Sequence, residues 1–536
     1  MCAGMRRDRR SRVNLRSGGH GLAGRVTGNT LDGSLAVKVT RRSLLKSAAA
    51  TAAGAIAGGT AVPVFDYVTR PRPNANIVLI VVDALRPDHL GCYGYSRPTS
   101  PNIDALASGS TVYLRNKAQS SLTAPSMSSL FTGRLLLTHF IPEWISSLPE
   151  ILESCGYRTI AVQTNPWLDT RRGFTRGFDS YNYLVPEGTK ETLLDWNKKE
   201  HSGSNPFYTD AAGVTQAVKS ALDSVIIKPP PLPSASSNSA LSGRVSPYPT
   251  AERFFLYIHY MDVHGPYIPK DAYDTFSAAP SSFGEKLRIS QSFVNTGLQG
   301  AGQDAARLKD AAIALYDGEI READDSIGSV LKMLKDMGLY EGAMIVLTSD
   351  HGEAFGEHGQ VQHGGSLYET QIHTPLIIKS AGQRANAESK ILTRHIDVVP
   401  TVLGACGFRR RHMARYRLRG RPLQDASFDE SEISRAALVM SSDSGTHSYF
   451  AVEKEGFKLI AQADDQDGVK KERMMLFNLW ADPAETTDLS AGQASKIAEL
   501  LWDLPSGGKL KVAAADLTKP VSREQEDRLR SIGYFQ

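Results

Sequence analysis

The chain has 536 residues, 41% apolar and 22% charged, with a formal net charge of +4. That is the composition of a globular protein with one large domain and a smaller companion, or two to three ordinary ones, and it excludes a fold that depends on disulfide or metal staples. Residues 1–46 hold eleven Arg and Lys against two Asp, which leaves the rest of the chain at −5 and excludes nucleic acid as the partner implied by the basic excess.

In chain order, the first feature is "TRRSLLKSAAATAAGAIAGGTAV", Thr40 to Val62. Arg41–Arg42 precede Ser43, Leu44, Leu45 and Lys46, then a weakly apolar Ala/Gly run. The pattern resembles a twin-arginine export signal, with a basic tail or an amphipathic anchor as the alternatives. Residues 1–73 are therefore expected to be an export leader and linker. The twin-arginine machinery is the expected partner, and the periplasm or the cell exterior the destination, with the leader a candidate membrane anchor. The run is too short and too poor in large apolar residues to predict a membrane span. Of Cys2, Cys92, Cys155 and Cys406, none forms a CxxC pair. Loss of the leader leaves three, so no disulfide framework is implied.

Ile77 to Val82 is a continuous β-branched run ending at Asp83. Unbroken apolarity predicts a strand buried on both faces, as in a parallel sheet. Thr159–Asn165, Arg253–Asp262, Ala343–Asp350 and Thr374–Ser380 read the same way. Helical patterns at Ser146–Cys155, Asp210–Ile227 and Asp304–Met337 lie between them. The alternation predicts an α/β fold, a doubly wound and mostly parallel sheet, over residues 74–405. The Pro/Ser-rich segment at about 228–250 reads as an insertion, and Ser277–Gln303 as a second loop. Residues 406–536 read as a smaller antiparallel α+β subdomain. It has a hairpin turning near Glu455–Gly456, a strand in Arg473–Pro483 and a closing helix.

Ligands of open α/β sheets collect at the carboxyl ends of the strands. Three predicted strands end in Asp83, in Asp262 with His264, and in Asp350 with His351. A helix opening at Pro125 would hold Thr123 just ahead of its first turn. Its N–H groups at Ala124–Met127 would face an anion. Two carboxylates, an imidazole and a hydroxyl make a site for one divalent cation. A single Asp after a strand is more often a turn residue or an N-cap, so the argument rests on the combination. "SDHGEAFGEHGQVQHGGSLYE" (Ser349–Glu369) packs His351, His358 and His363 among glycines and acids that no regular helix accommodates. Asp262, His264 and His363 form either a second metal site or a set of hydrogen-bond donors to substrate, and the second is favoured. His259 reads as a core or sheet-face residue of its strand, and His373, His395 and His447 show no partner pattern. The cationic run Arg409–Arg421 reads as a solvated face, with an anionic polymer or a membrane surface as its alternative partner.

From about Asn74 onward the chain resembles the sulfatase family of the alkaline phosphatase superfamily. The resemblance rests on "DALRPDHLGCYGYSRPTSPNIDALASGS", "PSMSSLFTGR", "MDVHGPYIP", "TSDHGEAFGEHG" and "LFNLWADPAETTDL". It implies that Asp83, Asp350 and His351 are metal ligands and that Thr123 is the metal-bound nucleophile. It implies substrate-anion or leaving-group roles for His264 and His363. Arg134 becomes the signature's closing basic residue, supporting the nucleophile loop. Sulfatases oxidise a Cys or Ser at the nucleophile position to formylglycine. This chain has Thr123 there, Met127 in place of the signature's supporting arginine, and Ala84 in place of the usual second aspartate. No formylglycine is expected. The remaining set resembles the superfamily's threonine-nucleophile branch of phosphodiesterases and phosphotransferases. The expected activity is metal-dependent hydrolysis or transfer of an anionic ester, a phosphoester first. The alternatives are a sulfuric ester hydrolase acting without formylglycine and a non-catalytic binding protein. With Ala84 removing a carboxylate and His351 present, Mn²⁺ or Zn²⁺ is expected rather than Ca²⁺ or Mg²⁺.

Overall fold

The β-branched run that follows Asn76 forms the middle strand of a large sheet and is buried along its whole length. The computed structural model describes residues 75–136, 138–184, 209–225, 253–278, 281–300, 304–424, 439–443, 447–464 and 468–502. The expected leader (1–73) and insertion (228–250) lie outside the described residues.

The strands are β1 (Asn76–Val82), β2 (Thr111–Lys117), β3 (Arg158–Gln163), β4 (Ser180–Tyr183), β5 (Phe254–Tyr260), β6 (Ala343–Thr348), β7 (Ala354–Phe355), β8 (Val361–Gln362), β9 (His373–Thr374), β10 (Leu376–Lys379), β11 (Ala387–Arg394), β12 (Val439–Asp443), β13 (His447–Lys454), β14 (Phe457–Asp464) and β15 (Gly468–Asn478). The helices that matter below are α1 (Pro101–Ala107), α2 (Thr123–Thr132), α3 (Leu148–Glu153), α4 (Ala211–Val225), α5 (Phe283–Gly300), α6 (Ala305–Asp336), α7 (Glu369–Ile372), α8 (Val398–Ala405), α9 (Arg410–Met413) and α10 (Ala494–Trp502).

The large sheet runs β11-β2-β10-β6-β1-β5-β3-β4, with β9 also on β2. β6, β1, β5, β3 and β4 are mutually parallel. Alternate side chains of β1 serve two cores, which is why its sequence shows no alternation. Val78, Ile80 and Val82 pack with α4, α5 and α6, and Ile77, Leu79 and Val81 with α2, α3 and α8. The expected doubly wound, mostly parallel α/β sheet is the one observed.

Two expectations need correction. The strand expected at Thr374–Ser380 is β10, and it runs antiparallel to both neighbours. Its apolar run is buried like the others, and apolarity carries no sense of direction. The loop expected at Ser277–Gln303 contains α5. Leu287, Ser290 and Phe293 bury one face at helical spacing, but polar residues and glycines around them hid the period. β2, β4 and β11 were not predicted. β2 ends in Arg115, Asn116 and Lys117, and β11 is exposed or half-buried except at Leu392 and Thr393, so neither reads as an apolar run.

The C-terminal sheet has the order β12-β13-β14-β15. Its expected hairpin turns at Glu455 and Gly456, both with positive φ (52° and 77°), the geometry of a two-residue turn that matches strand twist. Ile497 and Leu500 of α10 close its apolar face. Buried ions tie it to the large sheet. Lys458 on β14 pairs with Glu369 of α7 at 2.9 Å and with Glu485 at 2.7 Å. Lys117 on β2 pairs with Glu369 and with Glu453 of β13, and Glu453 also meets Arg115. Lys458, Glu453 and Glu485 are almost wholly buried. Removing one partner would leave the others charged without compensation. Lys458→Met is therefore expected to cost about 3–5 kcal/mol in chemical denaturation; an unchanged midpoint would show that the cluster does not hold the sheets together.

Candidate active site

β6, β1, β5 and β3 are adjacent, so the residues after their carboxyl ends meet at one edge of the sheet. Asp83 follows β1, and its N–H donates to Tyr260 O of β5 at 2.9 Å. Its side chain is fully buried. One oxygen, Oδ2, accepts from Asn165 Nδ2 at 2.7 Å and from His259 Nε2 at 3.1 Å. Because the carboxylate can only accept, His259 donates through Nε2, and its Nδ1 accepts the Tyr257 hydroxyl at 2.7 Å. Asp350, after β6, is treated alike. Its Oδ1 accepts from Ala84 N at 3.1 Å and from His351 N at 2.9 Å. Ala84 adopts a left-handed backbone (φ 56°) as it presents that N–H, a conformation that costs a non-glycine residue on the order of 1 kcal/mol.

Each acid thus has one oxygen held by two donors. The other two oxygens, Asp83 Oδ1 and Asp350 Oδ2, are buried without a hydrogen-bond partner among the described residues. His351 stands between them, its Nε2 3.7 Å from Asp83 Oδ1 and 3.3 Å from Asp350 Oδ2. His351 Nδ1 is committed to Gly352 O at 2.9 Å, which leaves the Nε2 lone pair facing inward in the neutral ring. Thr123 Oγ1 lies 3.1 Å from that Nε2. Buried charge without partners is costly, so the arrangement fits a cation. Asp83, Asp350, His351 and Thr123 converge on the space one would fill.

The local electrostatics draw positive charge to this space. Burial opposes the charge of Asp83, but the His259 hydrogen bond and the nearby His264 and His351 hold its pKa below the ordinary carboxylate range. Burial also opposes charging His351, while Asp350 and Asp83 draw its pKa upward. His363 stacks on His351 with ring centres 4.2 Å apart and lies 4.9 Å from His264. Burial, then His351, pushes His363 down to about 3, and burial lowers His264 as well. Glu353, 3.3 Å from His363 Nδ1, is raised by burial to about 7.

The structure brings together Asp83, Thr123, His264, Asp350, His351 and His363. It does not bring Arg134. That residue follows the far end of α2 and donates twice to Tyr416 O, at 3.0 and 2.6 Å, so it secures the helix's last turn and not the nucleophile loop. Asp262 Oδ1 accepts from Ala211 N at 2.6 Å at the start of α4, and the charged groups around it are Glu322, Asp210 and Lys270, not His264 or His363. Thr123 is the first residue of α2 and not a residue ahead of it. Pro125 has no N–H and Ser126 N already bonds Leu122 O, so the first-turn donors outside the helical ladder narrow to Thr123 and Ala124.

His259, Asn165, Tyr257 and Glu353 were missed. A signal existed for His259: Phe255 and Tyr257 alternate with it onto the face covered by α2. Ring and carboxylate atoms of Asp83, His259 and Asp350 lie within 4.8 Å of one another, so His259 could also reach a metal. Its donor bond to Asp83 and its Tyr257 partner make it a support for the carboxylate instead. His395, read as partnerless, meets Ser126 Oγ and Thr374 Oγ1 at 3.1 Å each and braces α2.

A family model described as Sulfatase matches residues 75–408, more than half of the chain. The chain belongs to the sulfatase family. It is similar to arylsulfatase K of Canis lupus familiaris, 24% identical over 464 residues that cover 80% of this chain and 81% of the relative. The fold is similar to that of the phosphonate monoester hydrolase of Agrobacterium radiobacter, with a TM-score of 0.55, 18% identity, and coverage of 80% of this chain and 96% of that one. It is also similar to BT4656, solved with its substrate D-glucosamine-2-N,6-O-disulfate, with a TM-score of 0.58, 16% identity and the same coverages. This sulfatase-family chain is a hydrolase of the alkaline phosphatase superfamily, and sulfatase-family enzymes use a metal ion.

If Asn165 and His259 position Asp83 toward a cation, Asn165→Ala should weaken divalent-metal affinity by roughly 10- to 100-fold in calorimetry, with the fold retained. An unchanged affinity would contradict the arrangement.

Proposed function

We propose that this sulfatase-family enzyme cleaves or transfers phosphate esters through Thr123 itself, with no formylglycine. The observation that carries the reading is the position of Thr123. It opens α2 in the nucleophile's register, buried, with Oγ1 3.1 Å from His351 Nε2 and two unpaired carboxylate oxygens beside that ring. Met127, where the family's supporting arginine belongs, is fully buried in the apolar cluster with Leu130 and Phe131.

Asp83, Asp350, His351 and the Thr123 oxygen would hold a divalent ion, Mn²⁺ or Zn²⁺ by the chemistry of the donors, which when bound lowers the hydroxyl's pKa and offsets charge on the ester. Thr123 Oγ1, its proton released to solvent, attacks phosphorus in line as the P–O bond to the leaving group breaks, giving a phosphothreonine and an alkoxide that is protonated to the alcohol. The N–H groups of Thr123 and Ala124 donate to a non-bridging oxygen. His264 and His363 lose their charge to burial, and a bound dianion restores it, so substrate binding and imidazole protonation are linked. Either ring can then hydrogen-bond the anion and return a proton to the leaving oxygen. Water, or an alcohol acceptor, displaces Thr123 in a second in-line step.

A second reading, sulfate ester hydrolysis without formylglycine, is favoured by the relatives' names. It has a chemical difficulty, since a sulfothreonine lacks the hemiacetal route of release that formylglycine provides. Assays of phosphomonoesters, phosphodiesters and sulfate esters with Mn²⁺, Zn²⁺ and Ca²⁺ separate the two. Phosphoesters are expected to be turned over fastest with Mn²⁺ or Zn²⁺, and turnover confined to sulfate esters would reverse the assignment. Thr123→Ala is expected to lose several powers of ten in kcat/KM, and Thr123→Ser to keep partial activity. Parental rates in Thr123→Ala would reduce Thr123 to a helix-starting residue and overturn the reading.

The same reading places the enzyme outside the cytoplasm, on the strength of Arg41–Arg42 and the apolar run behind them. Replacing both arginines by lysine is expected to retain the protein in the cytoplasm; unchanged export would contradict it.

A further inference from the structure

The arginine-rich stretch between Arg409 and Arg421 takes no part in the cluster around Thr123. It is attached to the other end of α2. Arg419 N and Gly420 N donate to Gly133 O at 2.8 and 3.3 Å, and Arg134 donates to Tyr416 O. A ten-residue helix is about 15 Å long, which separates this attachment from Thr123.

Here the chain encloses an open pocket of about 540 Å³. Arg394, Arg410, Arg417, Arg419 and Arg421 line it, and no acidic side chain does among the described residues. Asp397 lies 3.2 Å from Arg394, and its charge also reaches Arg421. Arg417 and Arg419 are exposed and form no ion pair among the described residues. Arg421 donates Nη2 to Leu392 O at 3.0 Å, but its Nη1 is buried with no hydrogen-bond partner. The crowding has an electrostatic cost. Burial and then Arg417 and Arg419 lower the pKa of Arg134, and burial lowers that of Arg421 against the pull of Asp397, with Arg394 adding to the depression. Arg417 and Arg419, without an ion pair among the described residues, and Arg421 Nη1 leave donors that an anion of several charges would engage. A guanidinium's planar donors fit the paired oxygens of a sulfate or phosphate ester.

We infer that this pocket binds a polymer bearing several sulfate or phosphate ester groups, at a site distinct from the catalytic cluster. Arg409, Arg411 and Arg415 extend the positive surface beyond the pocket, which favours a chain over a single ion. A membrane is disfavoured because the large apolar side chains exposed among the described residues are Trp144 and Trp480, neither of them in this loop. A rival occupant exists in the sequence itself. Asp425, Asp429, Glu430 and Glu432 follow directly, outside the described residues. The inference rests on the proposed function only where the polymer is also taken as substrate, and its test does not use catalysis to detect binding.

The test measures binding of the full chain to fluorescent dextran sulfate at physiological salt, with uncharged dextran and phosphatidylglycerol vesicles as comparisons. The parent is expected to bind dextran sulfate, more weakly as salt rises, and not uncharged dextran. R417E/R419E, at two exposed positions, should weaken binding by roughly tenfold or more while turnover of a small ester stays at the parental level. Neutralising the four acids (D425N/D429N/E430Q/E432Q) should leave affinity equal or higher. Three results would overturn the inference: equal binding by parent and R417E/R419E, binding that appears only after the acids are neutralised, or binding to vesicles and not to dextran sulfate. Loss of ester turnover with polymer binding intact would count against the proposed function and leave this site standing.

Discussion

Two carboxylates buried side by side set the terms for the rest of this molecule. Asp83 and Asp350 are each fixed through one oxygen, by Asn165 and His259 in one case and by the Ala84 and His351 amides in the other. The fixed oxygens determine where the free ones point, and the free ones are left without hydrogen bonds among the described residues. An apolar core does not tolerate that arrangement unless something positive completes it. The inward lone pair of His351 and the hydroxyl of Thr123 are placed to share the same guest. On this view the strain at Ala84 and the buried Tyr257–His259 pair are parts of one support, holding two acids in a geometry that neither would choose alone.

The sheet makes this placement possible by chain order. β1 lies between β6 and β5, and β3 follows β5, so residues far apart in sequence emerge at one edge. Helix α2 then carries Thr123 to that edge and carries Gly133 and Arg134 away from it. One helix thereby separates the Thr123 hydroxyl from the arginine-lined pocket. The C-terminal sheet is joined through Lys117, Glu369 and Lys458, none of which belongs to the cluster around Thr123.

Much of this was legible in the residues. The runs at Ile77–Val82 and Ala343–Thr348 could only be strands buried on both faces, and the acids that follow them could be named from that alone. The direction of β10 was not legible, since antiparallel and parallel strands buried on both faces share the same apolar run. The helix α5 was obscured because only a narrow face of it is buried. His259 is buried in its strand as read, but its support of Asp83 was not legible, because that partner is 176 residues away. Arg134 was given to the site by its place in the signature, whereas helix length puts it at the opposite end. Asp262 shows the limit of reading strand ends as ligands, because a helix start can claim the acid first.

The threonine is where the sequence and the site say most about each other. A hydroxyl on a β-branched carbon is held in few rotamers and cannot become formylglycine's aldehyde, and Met127, packed with Leu130 and Phe131, carries no charge that could support one. The direct measurement is mass spectrometry of the protein quenched during turnover of a phosphate ester. The account predicts one added phosphoryl group on the peptide Ser121–Arg134, located at Thr123, and an unmodified threonine in the resting enzyme. An oxidised residue at position 123, or a covalent adduct mapped to any other side chain, would contradict it.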